Sequence, residues 1–479
     1  DVDVYNTAVG YLAGGAVTTG TLNTFVGGLA GDALTVGGSN VSLGYFSLTA
    51  DTKGSKSVAV GTAALGDQNF TSATDAFNVA IGQEAGRSVT TGTQNTLIGG
   101  LAGDATTTGT GNTAIGQEAL GVNTTGSDNV AIGRDALDAN TTASNNTAVG
   151  KSSLGGNTTG ASNVAVGRSA LLSNTTASNN TAVGYQAGYT NTTGVNNLSL
   201  GYQAGYTNAT SNYNTAVGTQ SLANNTGSNN VALGQSALFS NTTASNNTAV
   251  GYQAMTANTT GTESVGIGNR ALASQTTGRN TAVGFNAGQD ISTGTSNTAL
   301  GQEAGENITT GDSNVAVGTQ ALRANTTSDN NTVVGYQAGD SVTGSGNTFV
   351  GKESGDGVGN GTDNICIGRN STLSSATQVN AIAIGVNMNA ASNNFSFGKQ
   401  SNVVTNDFDT DANWSRSSDE RLKKNITNQT LGLDFINDLR TVKYNWKPSN
   451  ELDASDAQLD HLRRQDADGN IINDMNTTA

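Results

Sequence analysis

The chain has 479 residues and a formal net charge of −15, with 64 Gly but only 1 Pro, 1 Cys and 1 His. The acidic balance argues against nucleic-acid binding, because a phosphate backbone requires a basic stripe on its partner. The single cysteine excludes a disulfide within one chain, and the single histidine, His461, excludes a histidine-based zinc site or catalytic triad elsewhere. No apolar run is long enough to span a membrane, and we expect neither a metal nor a cofactor.

Residues 1–398 repeat one short phrase: Asn, then Thr or Val, a small residue, an aliphatic residue and Gly. Nearly every step between these glycines is 16 or 17 residues, and a fixed short period predicts stacked repeats rather than the core of a globular enzyme. The common helical repeats have longer periods of roughly 33 to 47 residues. The closing glycines of the twenty-four copies lie at positions 10, 27, 44, 61, 82, 99, 116, 133, 150, 167, 184, 201, 218, 234, 251, 268, 284, 301, 318, 335, 351, 368, 385 and 398.

Each repeat predicts one rung of a β-solenoid or β-roll. The residue before the glycine is Val, Ile or Leu, or Phe397 in the last copy, and the residue before that is mostly Ala or Ser. This alternation predicts a short strand, with the aliphatic position buried in the core and the glycine at a φ > 0 or at a close backbone approach. A small residue three places after the glycine predicts a second, short inward-facing strand, and Asn-Thr-Thr-Gly predicts a polar corner.

The predicted fold class is therefore all-β, a rod of 16–17-residue rungs over residues 1–398, with Asn and Thr ladders along its corners. Twenty-four rungs at about 4.8 Å give a rod on the order of 110 Å long. The longer step from Gly61 to Gly82 predicts an outward loop, because the strand phrases on both sides are intact. Cys366 occupies the small-residue position of its strand, which predicts a buried thiol that acts as a filler.

Two adjacent rungs share the text Gly-Tyr-Gln-Ala-Gly-Tyr, which brings Tyr185, Tyr189, Tyr202 and Tyr206 into register. Their stacking would form an aromatic patch of a kind that binds sugars, and the alternative is that these tyrosines only decorate one face of the rod. The acidic residues of the repeats are scattered over turn positions, and no pair has the placement that glycosidase chemistry needs; examples are Asp104, Glu118, Asp135 and Glu303.

The repeat stops after Gly398, and a polar stretch rich in Asn and Asp, residues 399–417, is predicted to be a linker. Residues 418–479 then form a second module of mixed α/β pattern. Apolar residues from 431 to 439 have helical spacing, and residues 441–446 alternate like a strand.

The second module opens with Ser418-Asp419-x-Arg421-Leu422-Lys423-x-Asn425-Ile426, followed by Val442-x-Tyr444-x-Trp446. This pattern resembles the start of the endosialidase-type intramolecular chaperone domain that ends many phage tail fibres and tailspikes. The resemblance implies a homotrimeric fibre whose C-terminal domain helps assembly and then cuts itself off between Ser418 and Asp419, with Lys423 assisting.

From spacing alone, Ser418 as a helix cap and Lys423 as a solvated lysine remain open. The family's domain is normally longer than residues 418–479, so the 479-residue chain itself is expected to stay uncut.

The repeats also resemble the heads of YadA-type trimeric bacterial adhesins, where a similar phrase builds a left-handed β-roll, and both resemblances imply trimers. The function we expect is that of a phage tail or side fibre in the virion, a structural rod for host attachment with no activity on external substrates. Its expected partners are two further copies of itself, other tail proteins and a host surface receptor, with a glycan as one candidate. The alternatives are a bacterial trimeric adhesin head on the cell surface and, from the abundant Thr, an ice-binding solenoid.

Overall fold

The computed structural model describes residues 4–409 and 415–416. These residues are all-β, and among them there is no helix long and apolar enough to cross a membrane. The helix and strand that the sequence predicts in the C-terminal module lie outside the described residues.

The described chain has short strands throughout, most of them three residues long. In chain order they are β1 (Thr7–Val9), β2 (Thr24–Val26), β3 (Val41–Leu43), β4 (Gly54–Ser55), β5 (Val58–Val60), β6 (Thr74–Asp75), β7 (Val79–Ile81), β8 (Thr96–Ile98), β9 (Thr113–Ile115), β10 (Val130–Ile132), β11 (Thr147–Val149), β12 (Val164–Val166), β13 (Thr181–Val183), β14 (Leu198–Leu200), β15 (Thr215–Val217), β16 (Val231–Leu233), β17 (Thr248–Val250), β18 (Val265–Ile267), β19 (Thr281–Val283), β20 (Thr298–Leu300), β21 (Val315–Val317), β22 (Thr332–Val334), β23 (Thr348–Val350), β24 (Ile365–Ile367), β25 (Thr372–Leu373), β26 (Ile382–Val386), β27 (Asn389–Ala390), β28 (Asn394–Lys399), β29 (Asn402–Asp407) and β30 (Ser415–Arg416).

Twenty-four of these strands, one per repeat, stack in a single parallel column: β1, β2, β3, β5, β7 to β24, β26 and β28. Each strand pairs in register with the corresponding residues of the next rung, so that Val149 pairs with Val166 and Val166 with Val183. The predicted β-solenoid is confirmed, with one strand per rung of about 17 residues.

The core of the solenoid is narrow, and the strands contribute mostly small side chains to it. The middle residue of each strand points inward, as Ala148, Ala165 and Ala182 do, and all three are fully buried. The small residue three places after the glycine also points inward, as predicted; Ser153 and Ala170 are fully buried. The interior therefore contains these two rows of small side chains together with larger side chains four places after the glycine, such as Leu137 and Leu154, which are also fully buried.

The aliphatic residue before each glycine is not in this core, and that prediction is wrong. Val149, Val166 and Val183 stack as expected, but they are only half-buried, and Leu233 is 46% exposed. A three-residue strand has two faces. On the inward face, buried side chains such as Leu154 already fill the space beside the strand, so only the smaller residue fits there and the larger aliphatic side chain points outward.

The strand-ending glycines meet both conditions that the sequence predicts for them. Gly150 has a φ of +128°, and a Cβ added to it would lie 2.7 Å from the backbone carbon of Gly167 in the next rung. Residues other than glycine rarely adopt such a φ, and no real Cβ approaches the backbone of another residue this closely. The rungs stack at this distance because this column is glycine throughout.

The second side of each rung is a series of turns rather than the predicted second strand. Residues two and four places after the glycine have a left-handed backbone conformation, as in Ser152 (φ 55°) and Leu154 (φ 49°). Their backbone groups still bond from rung to rung; the Leu154 N–H donates to the Ala170 carbonyl at 2.9 Å. Within residues 4–409, only β25 and β27 form a short parallel pair on this part of the rung, near the end of the rod.

Buried asparagines form two ladders, which confirms the predicted polar ladders. In one, the Asn163 backbone N–H donates to Asn146 Oδ1 at 2.9 Å. In the other, Asn157 Nδ2 donates to Asn140 Oδ1 at 3.0 Å, and Asn174 Nδ2 donates to Asn157 Oδ1 at 2.8 Å. These bonds satisfy side-chain amides that would otherwise be costly to bury.

Threonines form a third ladder at the corner. Thr158 Oγ1 donates to the Thr175 carbonyl at 3.0 Å, and the same bond recurs in most rungs. Because these hydroxyls donate their hydrogen bonds to carbonyls of the protein itself, they cannot donate them to ice, which does not favour the ice-binding alternative.

The insertion between Gly61 and Gly82 is only partly an outward loop. Residues 71–73 are exposed as predicted, and β6, which follows them, pairs with β4 of the preceding rung. Phe70, however, is 4% exposed and packs inside, beside Gly54. Gln68 is fully buried and donates to Asp51 Oδ2 at 2.6 Å. The segment is thus anchored in the core at its start.

The rod ends in an antiparallel cap. β28 is the last strand of the parallel column, and β29 pairs antiparallel with it along its whole length, from Asn394 with Asp407 to Lys399 with Asn402. β30 then pairs antiparallel with β29. The stretch that the sequence predicts to be a linker, 399–417, therefore contains two strands that continue the sheet.

Candidate functional site

An aliphatic stripe runs along the outside of the solenoid. It consists of the residue before each strand-ending glycine, from Val9 to Phe397, and is half-buried or exposed in every rung. The residue three places before the glycine, which lies on the same face, is mostly Thr or Val and is also partly exposed. Contiguous exposed apolar surface of this length is rare on monomeric proteins and is typical of surfaces that bind another molecule.

The four predicted tyrosines form two stacks. The rings of Tyr185 and Tyr202 are 5.6 Å apart at an angle of 12°, and those of Tyr189 and Tyr206 are 5.1 Å apart at 9°. Tyr185 and Tyr202 are 40% and 48% exposed, whereas the other pair is half-buried. The predicted stacking is confirmed, and sugar binding by these rings stays a prediction.

A cation lies at the end of the stack formed by Tyr185 and Tyr202, and the sequence analysis missed it. The guanidinium carbon of Arg168 lies 5.9 Å from the centre of the Tyr185 ring, within cation–π distance. Arg168 precedes Tyr185 by one rung, so its 17-residue spacing is the signal that would have found it.

Two carboxylates converge at one point of the surface. Around the position that a Cβ would take on Gly121, Asp138 Oδ1 lies at 2.9 Å and Asp104 Oδ1 at 3.7 Å. Burial raises the pKa of both carboxyls above the ordinary value, and neighbouring negative charges raise them further, although backbone hydrogen bonds oppose the shift at Asp104. In the part of the chain that the structure describes, no group of three or more His, Cys, Asp or Glu could hold a metal.

Cys366 is fully buried at the inward position of its strand, as predicted. Burial raises the pKa of its thiol to about 12. The thiol is therefore neutral at physiological pH, which suits a small core filler and not a nucleophile.

The predicted self-cleavage residues, Ser418, Asp419 and Lys423, lie outside the described residues. The last described strand, β30, ends at Arg416, two positions before Ser418 in the chain. The roles of these three residues stay predictions.

A family model described as the chaperone of endosialidase matches residues 418–462. The match begins at Ser418, the first residue of the motif that the sequence analysis singles out. No curated protein and no solved structure matches the chain. The likeness of the repeats to YadA-type adhesin heads therefore stays a resemblance.

The family that this model describes is a self-cleaving chaperone, and the match to it follows directly on the β-solenoid in the chain. Together the two features support a structural role like that of a phage tail fibre.

Proposed function

We propose that this chain is a structural tail or side fibre of a phage virion. In this proposal three copies form a rod that contacts other tail proteins and attaches the virion to the host surface. The C-terminal module assists assembly and then cuts itself off. The observation that carries the proposal is the order of the two parts: a solenoid with an antiparallel cap, followed within two residues by the chaperone match at 418.

The aliphatic stripe supports the homotrimer. Its side chains keep exposed apolar surface that association would remove from water, which stabilises by roughly 25 cal/mol for each Å² buried. Because the stripe repeats with every rung, parallel copies can match rung for rung over the full length, and a closed three-fold arrangement lets every copy use the same surface. The small residues in the middle of each strand point inward and take no part in this contact.

A pair of stripe substitutions tests this assembly. Val149→Glu with Val183→Glu places a charge on the stripe at two positions two rungs apart, and we expect light scattering to show loss of the trimer. The matched control is Thr159→Glu with Thr193→Glu, which changes the charge equally at exposed corner positions with the same separation. A monomeric parent protein, or equal loss of trimer in both variants, would contradict the proposed assembly.

The proposed cut breaks the peptide bond between the Ser418 carbonyl carbon and the Asp419 nitrogen. Attack by the Ser418 hydroxyl on its own carbonyl carbon would close a strained four-membered ring, so we propose that the attacking hydroxyl belongs to a neighbouring chain. Neutral Lys423 accepts the hydroxyl proton, the ester forms as the C–N bond breaks, and the proton passes to the departing Asp419 amine. Water then hydrolyses the ester and leaves a carboxylate on Ser418.

Cleavage of a fibre protein that carries the whole chaperone domain tests these roles. We expect Ser418→Ala to give an uncut chain that still forms the rod, and Lys423→Gln to slow the cut. In oligomers co-assembled from parent and Ser418→Ala chains, we expect mass spectrometry to find the alanine chains cut as well. Cutting of the pure Ser418→Ala protein at the same bond would show that Ser418 is not the nucleophile, and uncut alanine chains in mixed oligomers would exclude attack between chains.

A further inference from the structure

The middle of the rod differs in charge from the rest of the chain. Residues 139–262 contain no Asp or Glu, and their only charged side chains are Lys151 and Arg168. The whole chain has 36 acidic residues and a net charge of −15. A section of more than seven rungs is therefore free of the negative charge that elsewhere repels anions.

The two cations belong to a cation–tyrosine row. The row is formed by the residue after the strand-ending glycine in five successive rungs, and all five members are exposed: Arg134, Lys151, Arg168, Tyr185 and Tyr202. A backbone ladder holds them in register; the Ser152 N–H donates to the Arg134 carbonyl at 2.9 Å and the Gln186 N–H to the Arg168 carbonyl at 3.0 Å. At about 4.8 Å per rung the row is roughly 19 Å long.

The outward edge of the row is electropositive. Arg168 lies over one face of Tyr185, and Tyr202 stacks on the other face, with the ring centres 5.6 Å apart. The faces of these rings are therefore directed along the rod and their edges point away from it. An aromatic ring has a negative face and a positive edge. The faces of Tyr185 are occupied by these neighbours, which leaves ring edges and phenol hydroxyls for a ligand.

The cations of the row are largely unpaired. Arg134 contacts Asp135 at 3.1 Å, but within residues 4–409 no carboxylate lies at ion-pair distance from Lys151 or Arg168. Like charges on neighbouring strands repel each other, so three cations in a column do not serve stability. An anionic ligand along the row would offset that repulsion.

We infer that the cation–tyrosine row binds an anionic glycan, a saccharide that carries carboxylate or phosphate groups. Arg168 and Lys151 would bind the anionic groups, the first with a planar fork and the second as a point charge. The tyrosine hydroxyls, and the neighbouring amides of Gln186 and Gln203, which bond each other at 3.0 Å, would bind sugar hydroxyls. This inference rests on the proposed attachment function and gives its ligand a chemical class.

The acidic rod favours a glycan over a nucleic acid. Binding of a long nucleic acid depends on many phosphate contacts. Outside residues 139–262 the rod carries acidic residues that would repel such a polymer, whereas a short acidic saccharide fits within the row.

The test measures binding of the full chain to immobilised hyaluronan, which is carboxylated, to a phosphorylated mannan and to neutral dextran. At about 50 mM NaCl, where screening is weak, we expect binding to at least one of the two anionic polymers and not to dextran. The polymer that binds identifies the anionic group. We expect Lys151→Gln with Arg168→Gln to weaken this binding at least about tenfold.

The matched control is Lys352→Gln with Arg369→Gln. These cations also follow strand-ending glycines on adjacent rungs, and Lys352 lies 5.7 Å from the centre of the Tyr336 ring, but they belong to an acidic section and Lys352 pairs with Glu353. We expect the control to change binding less than about twofold. Unchanged thermal unfolding in both variants would show that they fold.

Three results would overturn the inference: no binding to either anionic glycan, equal loss in the two double variants, or equally tight binding of single-stranded DNA through the same residues. Adsorption of the assembled fibre to host bacteria separates this inference from the proposed function. Adsorption that persists in Lys151→Gln with Arg168→Gln would overturn the role of the row alone, whereas a parent fibre that adsorbs to no host would overturn the attachment function.

Discussion

The strand-ending glycine is the residue on which the spacing of the rungs depends. Its positive φ and its contact with the next glycine are both predictable from the sequence, because no other residue type occurs at this position in twenty-four copies. The structure adds the reason that Ala is excluded, which is the nearby backbone carbonyl group of the next rung.

We expect Gly150→Ala to destabilise the rod by at least about 2 kcal/mol, because the new Cβ adds a strained φ to a contact with rigid backbone. The control is Gly100→Ala, since a Cβ on Gly100 would meet nothing within 4 Å. Thermal unfolding followed by circular dichroism compares the two. Equal unfolding temperatures would mean that the rungs can separate at Gly150 without cost.

The carboxyl of Asp138 gives the rod a specific pH dependence. Its pKa is raised in the folded state, mainly by burial and then by the charges of Asp135 and Glu118, so the folded protein holds this proton more tightly than the unfolded chain. The stabilisation from this group is present below the ordinary pKa of 3.8 and is lost as the pH rises through the folded value. We expect Asp138→Asn to raise the unfolding temperature at pH 7, with a difference that shrinks below pH 4. A difference that is independent of pH would contradict this explanation.

At the scale of the element, the sequence predicts the strand but not which of its faces is inside. Hydrophobicity predicts that the aliphatic residue is buried, whereas the limited space in the interior admits only the smaller residue. That space is a property of the stacked rungs. A signal was nevertheless present in the exceptions. Where the inward residue is large, as in Phe25 and Phe349, the residue four places after a glycine is Gly, and a Cβ on Gly31 or Gly355 would lie 2.4 Å from the ring.

The asparagine ladder that contains Asn140, Asn157 and Asn174 gives a prediction at the scale of the element. Asn157 donates to Asn140 Oδ1 and to the Gly160 carbonyl, and it accepts from Asn174. We expect Asn157→Ala to cost about 1–3 kcal/mol, because it leaves buried polar atoms of its neighbours without their partner. Thr159→Ala, at an exposed corner position of the same rung, is the control. Chemical denaturation measures both, and similar midpoints would show that the ladder adds no stability.

At the scale of the whole molecule, the regular part was predictable and the irregular part was not. One period of sequence specifies the parallel column, since each rung repeats the contacts of the previous one. The cap of β29 and β30 occurs once, so no repetition reveals it, and its polar composition is typical of a linker. Only half of the cation–tyrosine row could be predicted from the sequence, because its tyrosines lie in a repeated segment whereas its cations do not.

We expect Val404→Pro to weaken the cap, because Val404 pairs with Phe397 on one side and with Arg416 on the other and proline cannot donate to a sheet. The rods should then associate through their ends, which electron microscopy would show as particles longer than the parent. Discrete rods of parental length would show that the cap does not prevent association.

A stack of parallel rungs has no internal reason to stop, since its last strand offers the same unpaired backbone groups on which every earlier rung was added. In β28 and β29 the chain reverses direction, so the template that would recruit another parallel rung ends there. The number of rungs is therefore set by the gene and not by the supply of protein, which distinguishes this rod from an amyloid fibril. Because the cap precedes Ser418 in the chain, a cut at that residue would leave a filament of fixed length with its terminus already closed.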